Sequence, residues 1–182
     1  MREAVIVSAA RTPIGKAYRG AYNNTAAPTL ASYSIKEAVS RAGIDPEEVD
    51  DVVMGCAQQQ GSQALNIGRL GGIAAGLPNT VSGMTIDRQC SSGMMAIATA
   101  SKQIITDNMD TVVAGGVESI SLVQTAEIRL DIDPNVTEHA QHAYMPMIET
   151  ADNVAEKYNV SREDQDEYSL QSQQRTASAQ ES

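Results

Sequence analysis

The sequence of 182 residues has no tryptophan, no phenylalanine, and only two histidines and two cysteines. Its hydrophobic core must therefore be built from Val, Ile, Leu, Ala and Met, with a contribution from the six tyrosines. Two histidines are too few for a histidine-rich metal site, and two cysteines in a chain of this length do not form a disulfide framework. The sequence therefore predicts a protein with reduced thiols and without a metal site.

Basic residues are also scarce: the chain has 13 Lys and Arg but 23 Asp and Glu, which gives a net charge of -10. Nucleic acid needs a basic surface, so we exclude nucleic acid and anionic membrane surfaces as partners. No apolar run approaches the ~18 residues of a membrane span, and the N-terminal run is too short for a signal peptide. We expect a cytoplasmic protein that can still bind an anion locally, at a helix N-terminus.

What the chain does contain is a regular alternation of short apolar strands and amphipathic helices. This alternation predicts an α/β domain in layers, with a mainly parallel sheet, over residues 1–119. After Ser119 the pattern becomes irregular, and two helices follow within residues 120–182, the second starting at Ser161 with Asp164 at capping-box spacing. The predicted strands are residues 3–9, 49–57, 80–87 and 110–116, and the predicted helices of the first domain are residues 29–41, 63–75 and 91–106.

A cysteine, Cys90, lies where the third strand passes into the third helix, in the stretch TIDRQCSSGMMAIATASKQII. Unpaired N–H groups and the dipole at a helix N-terminus favour an anion, and a thiolate is such an anion. The helix is apolar or small around most of its circumference, so we expect it to be buried on most sides. Small residues at 91–93 leave the sulfur approachable, as nucleophilic acyl transfer requires. The alternative, a small buried hydrophobe at this position, fits the pattern equally well.

The other reactive side chains favour structural roles. Cys56 ends a predicted strand and is expected to be a packed thiol, while His139 and His142 lie in a polar segment and are expected to be solvated. Glu118 follows a glycine pair, and a structural hydrogen-bonding role is favoured over that of a general base. The glycines at 115 and 116 are expected to allow close backbone approach near the candidate thiol.

Several stretches resemble the thiolase family, in the family's order and at its spacing. The segment DRQCSSGMMAIATA is similar to the nucleophile segment of thiolases, which carry Cys-Ser-Ser-Gly or Cys-Gly-Ser-Gly after Gln or Leu. The segment VIVSAARTPIGKAYRGAYNNT resembles the family's N-terminus, and its second part leans towards the degradative 3-ketoacyl-CoA thiolases. Three more stretches resemble the family's second helix, its Gly-Gly-x-Glu-Ser strand and its loop-domain helices: QQQGSQALNIGRLGGIAAGLP, VVAGGVESIS and TADNVAEKYNVSREDQDEYSLQSQQRTASAQ.

The resemblance implies a layered αβαβα fold of two similar halves, with a loop domain inserted in the first. Residues 1–119 would supply the sheet and helices of the N-terminal half, and residues 120–182 the beginning of the loop domain. Thiolases transfer an acyl group between coenzyme A thiols, by cleaving a 3-ketoacyl-CoA or by condensing two acyl-CoAs. By this resemblance, Cys90 is the nucleophile that becomes acylated, and its N–H belongs to an oxyanion hole. By the same resemblance, Met147 lines the acyl pocket. Coenzyme A thioesters would then be substrates, and no bound cofactor is expected. The full-length protein is expected to be a homodimer or homotetramer.

The same resemblance shows which family segments these 182 residues do not contain. Thiolases carry further catalytic groups in their second half, in an Asn-Glu-Ala-Phe-like, a Gly-His-Pro and a Cys-x-Gly-Gly-like segment, and none of these occurs here. The chain is therefore expected to be inactive alone, and a non-catalytic fragment that binds or assembles is an alternative function. A ketoacyl synthase of the same fold is a weaker alternative, because the Gly-Gly-Val-Glu-Ser match and the loop-domain helices speak against it.

Four positions depart from the family pattern, and one of them is Asp152, where the family usually has Glu. Asp87 stands where the family usually has Asn, and Ile120 where it usually has Met. Ile148 replaces the Gly of the family's Met-Gly-x-Thr-Ala-Glu segment, directly after Met147. Because Ile148 changes the shape expected for the acyl pocket, the sequence does not predict the acyl chain length.

Overall fold

The computed structural model describes residues 2–127 and 131–182, and the chain divides into two compact units. The first unit is Met1–Ile128 and the second is Arg129–Ser182. The division at residue 119, made from the sequence, stays a prediction of where the family's loop domain begins.

The first unit is built on a sheet of three parallel strands, β1 (Asp51–Gly55), β2 (Ser82–Ile86) and β3 (Val112–Gly116). The order across the sheet is β2-β1-β3, so the first of these strands is the central one. Every residue of β1 is buried, because it has a strand on each side and a helix layer on each face. Three of the predicted strands and the parallel sheet are thereby confirmed.

Helices cover both faces of this sheet. Helices α1 (Ala27–Ala42) and α2 (Ile67–Ala74) contribute to the larger core on one face, together with Val52 of β1. Helix α3 (Ser92–Thr106) packs on the opposite face against Val53. Successive strand residues point to opposite faces, so these two valines serve two different cores. Helices α1 and α3 confirm the predicted helices at residues 29–41 and 91–106.

The second helix begins later than the sequence suggested. The predicted helix covers residues 63–75, but α2 starts four residues later. Leu65 has a left-handed backbone with φ of 65°, which interrupts the helical path. Asn66 then caps α2, its side-chain oxygen accepting the N–H of Arg69 at 3.1 Å. The residues before this turn form a short 3-10 helix, Gly61–Gln63.

Residues 3–9, predicted to be the first strand, run as an extended segment that belongs to no sheet. Val5, Ile6 and Val7 are 70%, 80% and 72% exposed. An apolar run predicts a strand only if a neighbouring strand is available, and no described strand pairs with this segment. The predicted first strand is therefore wrong. A groove of about 1090 Å³ lies between the segment, α1, α3 and β3.

Helix α3 also differs from its prediction. Its inner face is buried through Ala96 and Ala100, but Met94 is 76% exposed and Ile97 is 45% exposed. The helix is therefore covered by the sheet on one side only, and the expectation that it is buried on most sides is wrong for the described residues. After β3 the first unit continues into a short helix, α4 (Ile120–Val123).

The second unit consists of helices α5 (Pro134–His139), α6 (Met147–Tyr158) and α7 (Arg162–Glu181). Helix α7 begins with the predicted capping box. The Ser161 hydroxyl accepts the N–H of Asp164 at 3.0 Å, and the Asp164 carboxylate accepts the N–H of Ser161 at 3.3 Å. Within residues 2–127 and 131–182, no helix combines the length and the hydropathy needed to cross a membrane.

Candidate active site

The thiol of Cys90 lies on a short loop, residues 87–91, that connects β2 to α3. The cysteine is exposed and forms no disulfide. The interpretation of this residue as a small buried hydrophobe is therefore wrong. Because the first turn of α3 follows directly at Ser92, the thiol lies next to the helix N-terminus, as predicted.

Hydrogen bonds within the loop fix the backbone on both sides of the thiol. The carboxylate of Asp87 accepts the N–H of Gln89 at 2.8 Å. The Ser92 hydroxyl accepts the N–H of Arg88 at 2.9 Å and donates to the carbonyl of Gln89 at 2.6 Å. Gln89 has a φ of 48°, a left-handed conformation that is unfavourable for a residue with a Cβ. These bonds hold the left-handed conformation of Gln89 and thereby set the direction in which the Cys90 side chain projects from the loop.

The loop and the start of α3 rest on a glycine at the end of the central strand. Gly55 and Gly116 lie side by side at the carboxyl ends of β1 and β3. A methyl group at Gly55 would overlap the carbonyl of Ser92 and lie 2.5 Å from the nitrogen of Gly93, so only glycine permits this approach. The close approach predicted at positions 115–116 therefore occurs at Gly55, whereas a Cβ at Gly116 would make only an ordinary contact, 3.5 Å from the Cα of Gly93.

A second group of contacts at the carboxyl end of the sheet centres on Gln63, whose side chain is completely buried. Its Nε2 lies 2.5 Å from Oε1 of Glu118, 2.7 Å from the carbonyl of Gln58 and 3.2 Å from the sulfur of Cys56. Its Oε1 accepts the N–H of Ser119. We call the side chains of Gln63, Glu118 and Cys56 the latch, because they connect the segments that leave β1 and β3.

The latch determines the chemistry of the second thiol. Cys56 is fully buried, which confirms the predicted packed thiol. Burial, and after it the charge of Glu118, raises the pKa of Cys56 to about 11. Glu118 also accepts the N–H of Ala57 at 2.9 Å, in keeping with the structural role favoured for it. Cys56 is therefore a neutral thiol near neutral pH.

The remaining predicted residues belong to the second unit. Met147 opens α6 and is 73% exposed, and its role in an acyl pocket stays a prediction. His139 ends α5 and His142 follows it, and both are exposed, as expected for solvated side chains. In the part of the chain that the structure describes, no three His, Cys, Asp or Glu side chains come together as a metal site.

A family model for the thiolase N-terminal domain matches residues 4–182. The chain thus belongs to the thiolase family, and the segments that resemble thiolases identified that family correctly. The fold agrees: the chain superimposes with a TM-score of 0.79 on the crystal structure of the Bacillus anthracis acetyl-CoA acetyltransferase, at 41% sequence identity. That likeness covers 93% of this chain and 45% of the other.

Curated relatives carry thiolase names. A 3-ketoacyl-CoA thiolase of Bacillus subtilis (strain 168) is 44% identical over 98% of this chain and 46% of its own length. A 3-oxoadipyl-CoA/3-oxo-5,6-dehydrosuberyl-CoA thiolase of Escherichia coli (strain K12) is 40% identical over the whole of this chain and 49% of its own length. The chain spans about half the length of these relatives.

Proposed function

We propose that this chain carries the nucleophile of an acyl-CoA:CoA C-acyltransferase of the thiolase type, and that Cys90 is the residue that becomes acylated. The observation that carries the proposal is the contrast between the two thiols. Cys90 is exposed at the N-terminus of α3, whereas Cys56 is buried and holds its proton. A thiolate is the nucleophilic form of cysteine, so only Cys90 is available to attack a thioester substrate.

In the cleavage direction, the Cys90 thiolate attacks the keto carbonyl of a 3-ketoacyl-CoA. The bond between C2 and C3 breaks, the electron pair passes to C2, and C2 takes up a proton and leaves as acetyl-CoA. The acyl group stays on the sulfur as a thioester until the thiol of coenzyme A loses its proton and attacks. Shortened acyl-CoA then leaves and the Cys90 thiolate is restored. A backbone N–H at Cys90 would stabilise the oxyanion in both steps.

Both half-reactions need groups that move protons, and the thiolase segments that supply them do not occur in this sequence. We therefore expect residues 1–182 to accept an acyl group slowly on Cys90 and to show no sustained turnover. The test is incubation of the chain with acetoacetyl-CoA and coenzyme A, while the ketothioester absorbance is followed and the cysteine peptides are mapped by mass.

The expected result is an acetyl group on the peptide that contains Cys90, its loss in Cys90→Ala, and its retention in the control Cys56→Ala. An acyl group on Cys56, or an equal yield in the Cys90→Ala variant, contradicts the assignment of the nucleophile. Continuous turnover that disappears in Cys90→Ala would show instead that this chain contains a complete active site.

Further parts of the proposal concern the surroundings of the enzyme. We propose coenzyme A thioesters as its substrates, since the relatives are named for their action on such thioesters. Met147 is proposed to line the acyl pocket, with Ile148 beside it narrowing the space that Gly would leave. A homodimer or homotetramer in the cytoplasm is proposed, and the exposed edge of β2 is the surface that supports assembly.

A further inference from the structure

We propose that Gln63 is a positioning residue for the Cys90 nucleophile, although it lies outside the loop that carries the thiol. The inference rests on the proposed function of Cys90 and extends it to a side chain of the 3-10 helix Gly61–Gln63. Gln63 acts through the latch on the carboxyl end of the sheet, and through that end on the first turn of α3.

The latch is connected to the carboxyl ends of β1 and β3. Cys56 directly follows β1, and Glu118 comes two residues after β3. The N–H of Val117 donates to the carbonyl of Gly55 at 3.0 Å, so the two segments are already neighbours. Gln63 bridges them, because its amide group contacts Cys56 on one side and Glu118 on the other.

The carboxyl end of β1 is in turn connected to the loop that carries Cys90. The N–H of Cys56 donates to the carbonyl of Ile86 at 3.0 Å. Ile86 is the last residue before the loop that carries Cys90. Gly55 touches the backbone of Ser92, and the Ser92 hydroxyl holds the carbonyl of Gln89. A shift at the end of β1 is therefore passed to both ends of the loop that presents Cys90.

The amide group of Gln63 is buried, and burying an amide costs free energy unless it is hydrogen-bonded. Gln63 is 0% exposed, and its partners include a carboxylate and a main-chain N–H. A buried polar group has to be hydrogen-bonded, and a fully satisfied network specifies one geometry where apolar packing allows several. An apolar side chain would fill the same space but leave Glu118 and Ser119 without this partner.

The experiment compares the full chain with Gln63→Met, which keeps the length of the side chain and removes its hydrogen bonds. Val39→Ala is the control, because Val39 is buried in α1, and truncating it weakens the core that it shares with Cys56 without removing a hydrogen bond of the latch. Two rates are measured at Cys90. The rate of acylation by acetoacetyl-CoA depends on a correctly placed donor for the oxyanion. The rate of alkylation by iodoacetamide depends only on an accessible thiolate. Amide NMR signals of residues 90–93 provide a third readout that requires no reaction.

We expect Gln63→Met to lower the acylation rate about tenfold or more, while alkylation of Cys90 changes by less than about twofold. The amide signals of residues 90–93 should shift in Gln63→Met and stay in place in Val39→Ala. Unchanged signals in Gln63→Met, or equal losses of acylation and alkylation in both variants, would overturn the positioning role. If the unsubstituted chain is alkylated but never acylated, the proposed function fails, and the NMR signals alone still decide the role of Gln63.

Discussion

At the scale of single residues, the two thiols of the chain differ because of their neighbours. The sulfur of Cys56 lies 3.2 Å from Nε2 of Gln63 and 3.9 Å from Oε1 of the Glu118 carboxylate. A negative charge at that distance opposes a second one, and burial removes the water that would solvate a thiolate. Cys90 is exposed beside a helix N-terminus instead, so the same side chain is placed for reaction in one position and protected in the other.

This difference predicts the order in which the thiols react. Near neutral pH, iodoacetamide should modify Cys90 well before Cys56, because only thiolate reacts and Cys56 is both buried and protonated. As the pH is raised towards 11, the rate at Cys56 should rise, since its pKa is about 11. Mass mapping of the cysteine peptides over a pH series measures both rates. Preferential labelling of Cys56 at neutral pH would show that this description of the two thiols is wrong.

At the scale of elements, α3 can lie as close to the sheet as it does because Gly55, at the end of β1, has no Cβ. Gly55→Ala should destabilise the first unit by about 1–3 kcal/mol, because the new Cβ overlaps the backbone of Ser92. Gly93→Ala is the matched control: apart from the adjacent residues and the backbone of its own helix, nothing lies within 4 Å of a Cβ there, and alanine favours a helix by roughly 0.5–1 kcal/mol. Urea unfolding of the two variants should therefore give changes of opposite sign, and equal changes would refute the close packing.

Elements with a strong local signal were predictable from the sequence. Helix α1 has its apolar positions and the stop at Gly43, and Ser161 with Asp164 marks the start of α7. The latch was not predictable, because Gln63 stands in the polar stretch QQQGSQ and nothing local shows that its side chain is buried. Gly55 did carry a usable signal, since a glycine that ends a buried parallel strand often permits close backbone approach.

At the scale of the whole molecule, two of the errors share one cause. Residues 3–9 were predicted to form a strand, and α3 was predicted to be buried on most sides, because the residues of both segments are apolar. Periodicity reports which surfaces are suited to burial, but it does not report whether a neighbour is present to cover them. The family, by contrast, was identified from the order and spacing of whole segments, a signal that does not depend on such neighbours.

An edge strand makes a prediction for assembly. Among the residues that the structure describes, β2 pairs with β1 and with no strand on its other side, and an open parallel edge is a surface on which another strand can pair. We expect the protein to be at least dimeric at micromolar concentration, which sedimentation velocity measures directly. A single monomeric species across the whole concentration range would contradict this expectation.

The unpaired N-terminal segment makes the chain vulnerable to proteolysis. Proteases bind their substrates as extended strands, and residues 3–9 already have that shape without unfolding. The segment is held at its two ends, by the ion pair of Arg2 with Asp110 and by the bond from Arg41 to the carbonyl of Ala9. Arg11 is exposed just beyond the second anchor, so trypsin would find a cleavage site there before the sheet opens. A preparation of this chain would then lose its first residues while Cys90 and its loop remain intact.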